Sequence, residues 1–328
     1  MRMLKKGICC ILLSFLLCFA IPAIWSAVKS GITYIENGLL VSAESSQAAP
    51  EQRAEEMREA VVYYRFGNTR WLSPVRMQID LRREDTIATT LVRQLIAGPE
   101  VTMAHLSGLF PPGTRLISVL SDGTTAFVTL NRAFLDRPDN APADWEDNEF
   151  WQKEATLRRA MALQSIVLSL TEEGQTQRVQ LFVADEDDEI GRRLPLAWFD
   201  SSVTDPEVFL GACGRDESIC LTAHNTLSVI LGAWQQHDWT TLSLFLRGAV
   251  SEKFAVEMEE QGIELLAYSV SPGNISLDGQ KATLVVDGKI RTGSGETIEI
   301  ERESVLLVRS ETSWQMDVDA LNHLMVRD

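Results

Sequence analysis

Residues 95–130 read LIAGPEVTMAHLSGLFPPGTRLISVLSDGTTAFVTL. The stretch opens on the end of a helix. Upstream of it Ile87, Leu91 and Leu95 recur every four residues, flanked by Ala88, Val92 and Ile96, which makes one apolar face at helical spacing. Asp85 stands where a carboxylate can cap the first turn. Gly98 can take the left-handed closing conformation, and Pro99 forbids continuation. Pro111, Pro112 and Gly113 make a second stop and set where the strand LISVLS begins. A tight turn at Asp122-Gly123 folds that strand back as TAFVTL. The stretch is rich in punctuation and carries no reactive side chain.

Working outward, VVYYRF is dense in β-formers and can pair with VRMQID across GNTRWLSP. Beyond the acidic loop DRPDNAPADWEDNEF, a long helix is predicted from about Trp151 to Thr171, with Ala160, Leu163, Val167 and Leu170 as its stripe. Val179, Leu181 and Val183 then alternate as a strand. The order is β(β)αββαβ, most simply a two-layer α/β sandwich with two helices on one face of a small sheet. From about Thr222 the pattern changes. Leu227, Ile230, Leu231 and Trp234 mark one helix, Trp239, Leu242 and Phe245 a second, and Ser251 to Gln261 a third. Strands follow: ELLAYSVS, KATLVVDGKIR, TIEIERESVLLVR and SWQMDVD, with turns at Asp278-Gly279 and Gly293-Ser294-Gly295. The fold class is α+β throughout.

The N-terminus predicts a membrane tether. Arg2, Lys5 and Lys6 precede an uncharged run over residues 7–28, whose 22 residues of helix would span about 33 Å. Residues 1–6 would stay cytoplasmic and the bulk of the chain would lie on the extracytoplasmic face of the cell membrane. Three forms of tether compete: an uncleaved anchor, a cleaved signal ending near Ala43 or Ala20, and a lipid on Cys18. Residues 29–59 read as a linker, 60–200 as the first domain, 201–221 as a second linker and 222–328 as the second domain.

The chain has 328 residues and a formal charge of −16; its first 29 residues hold four cations and no acid, leaving −20 for the rest. So acidic a surface repels phosphate backbones, which predicts no nucleic-acid partner. Cys9, Cys10 and Cys18 lie in the apolar run, while Cys213 and Cys220 bracket GRDESI and could bridge outside the cytoplasm.

LIAGP, then PPGTRLISVLSDGTTAFVTLNRAF, then MALQSIVLSLTEEGQTQRVQLFV resemble the GerM domain of sporulation and spore germination proteins. The likeness covers about residues 60–200. It implies an extracytoplasmic domain that acts in assembly of a cell-envelope complex through protein contacts, with envelope or sporulation-complex proteins or another copy of itself as partners. Gly98, Pro99, Pro112, Gly113, Asp122 and Gly123 carry the motif and would fix its shape. One departure is TLNRAF, where the family tends to an acidic run. A second GerM copy, present in some members, is replaced by residues 222–328, which resemble an NTF2-like α+β cone through AWQQHDW and the strand order.

Candidate chemistry is sparse. His105, His224, His237 and His323 share no metal-ligand spacing, and no HExxH, GxSxG or phosphate-loop pattern occurs. No catalytic residue, cofactor or metal is predicted. His237-Asp238 is the one acid/base-like pair, against a surface helix junction in which Asp238 caps the following helix. Trp234, His237, Asp238 and Tyr268 would line a pocket if the cone is hollow, which gives the alternative function of binding a small ligand or cell-wall fragment. Asp185 to Glu189 reads as a solvated acidic turn, because Ile190 replaces the glycine that a calcium loop needs at its sixth position. Trp145, Trp151, Trp198, Trp234, Trp239 and Trp314 raise the question of sugar stacking, with core packing as the competing role.

Overall fold

The hairpin of VVYYRF and its partner is longer than its sequence suggested. β1 (Glu56–Phe66) and β2 (Leu72–Leu81) pair antiparallel from Glu56↔Leu81 to Arg65↔Leu72, so β1 begins inside the stretch expected as linker. The computed structural model describes residues 56–325 except 82–85, 104, 173, 186–189, 249 and 252. The expected tether at 7–28, the linker up to residue 55 and the cap residue Asp85 lie outside the described residues. Among the described residues no helix is long and apolar enough to cross a membrane.

α1 (Ile87–Ala97) is capped by Thr86, whose hydroxyl accepts from the Thr89 N–H at 3.1 Å. It buries Leu91, Val92 and Leu95, as its periodicity required. At its end the Gly98 N–H is shared between the Gln94 and Leu95 carbonyls, with φ at +82°. β3 (Leu106–Ser107) then pairs with the end of β1, giving the sheet order β2-β1-β3. β4 (Leu116–Asp122) and β5 (Thr125–Asn131) form the next hairpin. Asp122 pairs with Thr125, so the loop is Gly123-Thr124 and Asp122 is the last strand residue. α2 (Glu149–Thr171) crosses over to β6 (Arg178–Ala184), which lies parallel to β5. β7 (Arg192–Arg193) and β8 (Cys213–Gly214) both pair with β6.

The expected single small sheet is therefore two sheets, and the reason lies in α2. Its C-terminal half buries Met161, Ala162, Leu163, Ser165, Ile166, Val167, Leu168, Ser169 and Leu170, which is burial all round rather than along one stripe. Ala160, expected on the stripe, is only half-buried. One side packs on β6 and the other on β1. Two serines one turn apart close the open edge of β1: Ser165 Oγ donates to the Tyr63 carbonyl at 2.5 Å, and the Tyr63 N–H donates to Ser169 Oγ at 3.2 Å. Tyr63 turns both groups away from β2, so Pro74 opposite it, which has no N–H, leaves nothing unpaired in that ladder. An apolar helix would have left those strand groups unsatisfied.

The second half follows the helix-then-strand pattern. α3 (Ala223–Gln235), α4 (Trp239–Ser243), β9 (Leu246–Arg247) and α5 (Phe254–Gln261) precede β10 (Glu264–Ile275), β11 (Lys281–Arg291), β12 (Thr297–Arg309) and β13 (Trp314–Asp317). The sheet order is β10-β11-β12-β13-β9, antiparallel except for β9 on β13. α6 (Val318–Met325) closes the chain and buries Leu321, Leu324 and Met325. The sequence reading did not flag β9, which has only two residues, or α6, whose Leu321, Leu324 and Met325 are nonetheless spaced as one helical face.

The two halves share one compact unit. Phe66 leaves the first hairpin to stack on Phe245 at 4.8 Å, in the core built around Trp234 and Leu307. Ser73 Oγ donates to the Thr312 carbonyl, and the Leu221 N–H donates to the Leu72 carbonyl at 2.8 Å. Residues 201–221, expected as a linker, run against the first half: Leu210 is in its core, and its carbonyl accepts from Gln180 Nε2 at 3.0 Å.

Candidate functional site

The motif residues of the first half form a shape rather than a pocket. Gly98 ends α1, and Pro99 follows it into the loop. Gly113 has φ +83° in a turn closed by the Thr114 N–H donating to Pro111 at 3.2 Å. The residue that holds this turn is Asn131, which lies in the TLNRAF departure and is buried. Its Oδ1 accepts from the Arg115 N–H at 2.7 Å, and its Nδ2 donates to the Gly113 carbonyl at 3.0 Å. An acid there could not make the second bond. The only sequence signal for this role was the departure itself.

The possible Cys213–Cys220 bridge is not formed; both are free thiols. The backbone explains it. Cys213 is drawn into β8 against Val179, whereas Cys220 is drawn to Leu72 and buried in the core. Burial raises the pKa of both thiols and pushes Cys220 up to about 12, Arg215 opposing. Arg215, between them, clasps the loop instead. It donates to Tyr63 Oη at 2.9 Å and to the Leu168 carbonyl at 3.1 Å, and pairs with Glu172 at 2.9 Å and Glu217 at 2.8 Å. Burial, then the Glu172 charge, holds the Tyr63 phenol well above its usual range.

The four residues suggested for a C-terminal pocket do not enclose a cavity together. Trp234 is fully buried, with its indole N–H donated to the Ile263 carbonyl at 3.1 Å. Tyr268 Oη donates to the Ser228 carbonyl at 3.1 Å, and a Cβ on Gly232 would stand 3.0 Å from Tyr268 Oη, so the tyrosine packs closely over that glycine. Asp238 caps α4, accepting from the Thr241 N–H at 3.0 Å. His237 sits at φ +57° in the tight α3–α4 junction, 3.4 Å from Glu259. Glu259 in turn accepts from the Trp239 indole at 2.6 Å. The pair is an exposed helix junction. Among the described residues no three His, Cys, Asp or Glu side chains gather as a metal set. Asp185, the described end of the acidic run, pairs with Arg132 at 3.5 Å and Arg192 at 3.1 Å.

The larger concave feature lies elsewhere. An open groove of about 710 Å³ is walled by three one-turn 3-10 segments, Arg132–Leu135, Trp145–Asp147 and Leu196–Trp198, and floored by Arg159 of α2. Arg159 donates to the Leu135 carbonyl at 2.9 Å, and its guanidinium lies 5.9 Å from the centre of the Trp145 ring. Burial pushes the Arg159 guanidinium below its ordinary value, the Glu146 charge opposing. Trp198, which is partly exposed, also lines the groove, with Arg137 and the carboxylates Asp136 and Glu146. A second open cleft of about 610 Å³ lies where the two halves meet, between Arg76 and Glu100 on one side and Arg309 and Glu311 on the other. Arg65 is buried, with Nη1 at 2.5 Å from Glu154 and Nε at 2.6 Å from the Thr69 carbonyl.

This architecture defines an α+β protein held together by buried polar clasps, and its first half has known relatives. Residues 58–189 match the family described as Germane: sporulation and spore germination. Among solved structures the chain is similar to the tandem GerMN domains of the sporulation protein GerM from Bacillus subtilis, at 17% identity over 53% of this chain and 51% of that one, with a TM-score of 0.33. The chain thus spans about half the length of that structure. The first GerMN domain of the same protein aligns at 18% identity over 39% of this chain and 82% of that one, TM-score 0.25. A putative lipoprotein from Clostridium perfringens aligns at 13% identity over 42% and 80%, TM-score 0.24. No curated protein matches the chain.

Proposed function

We propose that this protein is a non-catalytic, extracytoplasmic component of the sporulation and germination machinery, tethered at the membrane by its N-terminal run. It acts in assembly of a cell-envelope complex through protein contacts. The observation that carries this reading is the family match over residues 58–189. It is supported by the way the motif residues are used: Gly98, Gly113 and Gly123 set turns, and Asn131 locks one of them, so their work is to fix a surface. The C-terminal half serves in this reading as an NTF2-like module and as a platform, because Trp234 fills its interior. Sharing of Phe66 by the second core supports presentation of both halves as one rigid unit.

Co-purification of a C-terminally tagged chain from membranes of sporulating cells, followed by mass spectrometry, tests it. Sporulation-complex or envelope proteins, or untagged copies of the chain itself, should be recovered. Recovery of the tagged protein alone, as a monomer, with no crosslinked partner in cells, would remove the assembly reading.

A further inference from the structure

We infer that the groove between Arg132–Leu135, Trp145 and Trp198 is a binding site for an acidic saccharide, with the sugar carboxylate on Arg159 and a pyranose face on Trp198. The first argument is charge. Arg159 is half-buried, and a cation partly withdrawn from water is ordinarily paired, since an unpaired one loses hydration without compensation. Arg159 has one hydrogen bond, to a neutral carbonyl; the groove also holds the carboxylates of Asp136 and Glu146, and Glu146 acts on Arg159 through its charge, but among the described residues neither forms an ion pair with it. By contrast, Arg65 and Arg158 on neighbouring positions both reach Glu154, at 2.5 and 2.7 Å. The guanidinium keeps most of its five donors for a ligand, in a planar fork that suits a carboxylate.

The second argument is shape. The groove has the volume of a small-ligand site. It is walled by short 3-10 turns and a helix, and none of its lining residues stands on a strand. An extended acidic peptide would therefore find no sheet edge to pair with there. The third argument is the exposed indole. Trp198 is 38% exposed, and no ring or cation is stacked on it among the described residues. A flat apolar face with a polar rim suits the C–H face of a pyranose, whose hydroxyls remain in water.

Tryptophan fluorescence titration of the full-length chain in detergent tests the site. The probes are an N-acetylglucosamine–N-acetylmuramic acid disaccharide and its neutral counterpart, the N-acetylglucosamine dimer. The acidic disaccharide should bind saturably and at least ten-fold more tightly than the neutral one. Arg159→Met should weaken binding at least ten-fold while leaving the melting temperature unchanged or higher, because a merely structural arginine would lower it. Trp198→Ala, on an exposed side chain, should weaken binding at least ten-fold with no change in melting temperature. Equal binding of the two sugars, or unaltered binding in both variants, would overturn the proposal. So would Arg159-dependent binding of a poly-glutamate peptide that matches or exceeds the saccharide. Loss of saccharide binding in Arg159→Met with partner capture intact would separate this site from the assembly role.

Discussion

Replacing Arg65 by methionine removes a buried cation that joins the Asn68-Thr69 turn to the Glu154 side chain of α2. Arg65 is 2% exposed. Its guanidinium donates to the Thr69 carbonyl at 2.6 Å, the Asn68 carbonyl at 2.9 Å and Glu154 Oε1 at 2.5 Å. Methionine keeps the aliphatic stem and deletes the bonds. Breaking a buried ion pair costs about 3–5 kcal/mol when the surviving charge is orphaned. Glu154 is not orphaned here, because Arg158 remains 2.7 Å away. The lower end, about 3 kcal/mol, is therefore expected for Arg65→Met, or about 6–12 °C in melting temperature at roughly 2–4 °C per kcal/mol. Glu154→Gln should cost more, about 4 kcal/mol, since it leaves the Arg65 cation buried against neutral partners. The double variant Arg65→Met, Glu154→Leu should cost less than the sum. Urea and thermal unfolding measure all three. A loss below about 1 kcal/mol for Arg65→Met, or a milder loss for Glu154→Gln than for Arg65→Met, would refute the reasoning. The pH dependence follows from the same pair. Burial pushes the Glu154 carboxyl up, but hydrogen bonds from Arg65 and Arg158 outweigh it and hold the group below the ordinary glutamate range. A depressed folded value stabilises above the unfolded value, so this contribution is complete at neutral pH and fades as pH falls through and below the ordinary glutamate range.

Three more outcomes are expected. Phe245→Ala removes the partner of Phe66 and should cost about 3–5 kcal/mol, with calorimetry resolving two transitions where the parent shows one; a single transition at the parent temperature would contradict a shared core. Asn131→Asp sets a carboxylate against the Gly113 carbonyl and should cost about 1–3 kcal/mol in a urea titration at neutral pH, with Asn131→Ala no worse. Alkylation of the native chain near pH 8, read by peptide mass spectrometry, should leave Cys220 unlabelled while Cys213 reacts slowly, because burial keeps the Cys220 thiol protonated; equal labelling would show that the loop opens.

Much of this fold could be read locally. Ile87, Leu91 and Leu95 at fourfold spacing announce α1, Gly98-Pro99 ends it, and the alternation in Val179, Leu181 and Val183 marks a strand. These signals are legible because the cause, burial of one face or a forbidden backbone angle, acts on residues close in sequence. The C-terminal pocket misled for the same reason. AWQQHDW places Trp234, His237 and Asp238 together along the chain, but the helix turns the indole inward and leaves the histidine at the junction outside.

What the sequence by itself determined, then, is the run of elements, their stops, the acidic composition and the match of residues 58–189 to a sporulation and germination family. Tertiary structure alone decided that α2 lies between two sheets, that Ser165 and Ser169 close the edge of β1, and that Arg65 is buried while Arg159 faces a groove. It also decided that Cys213 and Cys220 are held apart by Leu72 and Val179. The division has one physical cause. A hydrophobic period or a glycine turn is satisfied by near neighbours in the chain, whereas a buried polar group is satisfied by whatever the fold brings to it, here from about a hundred residues away for Tyr63.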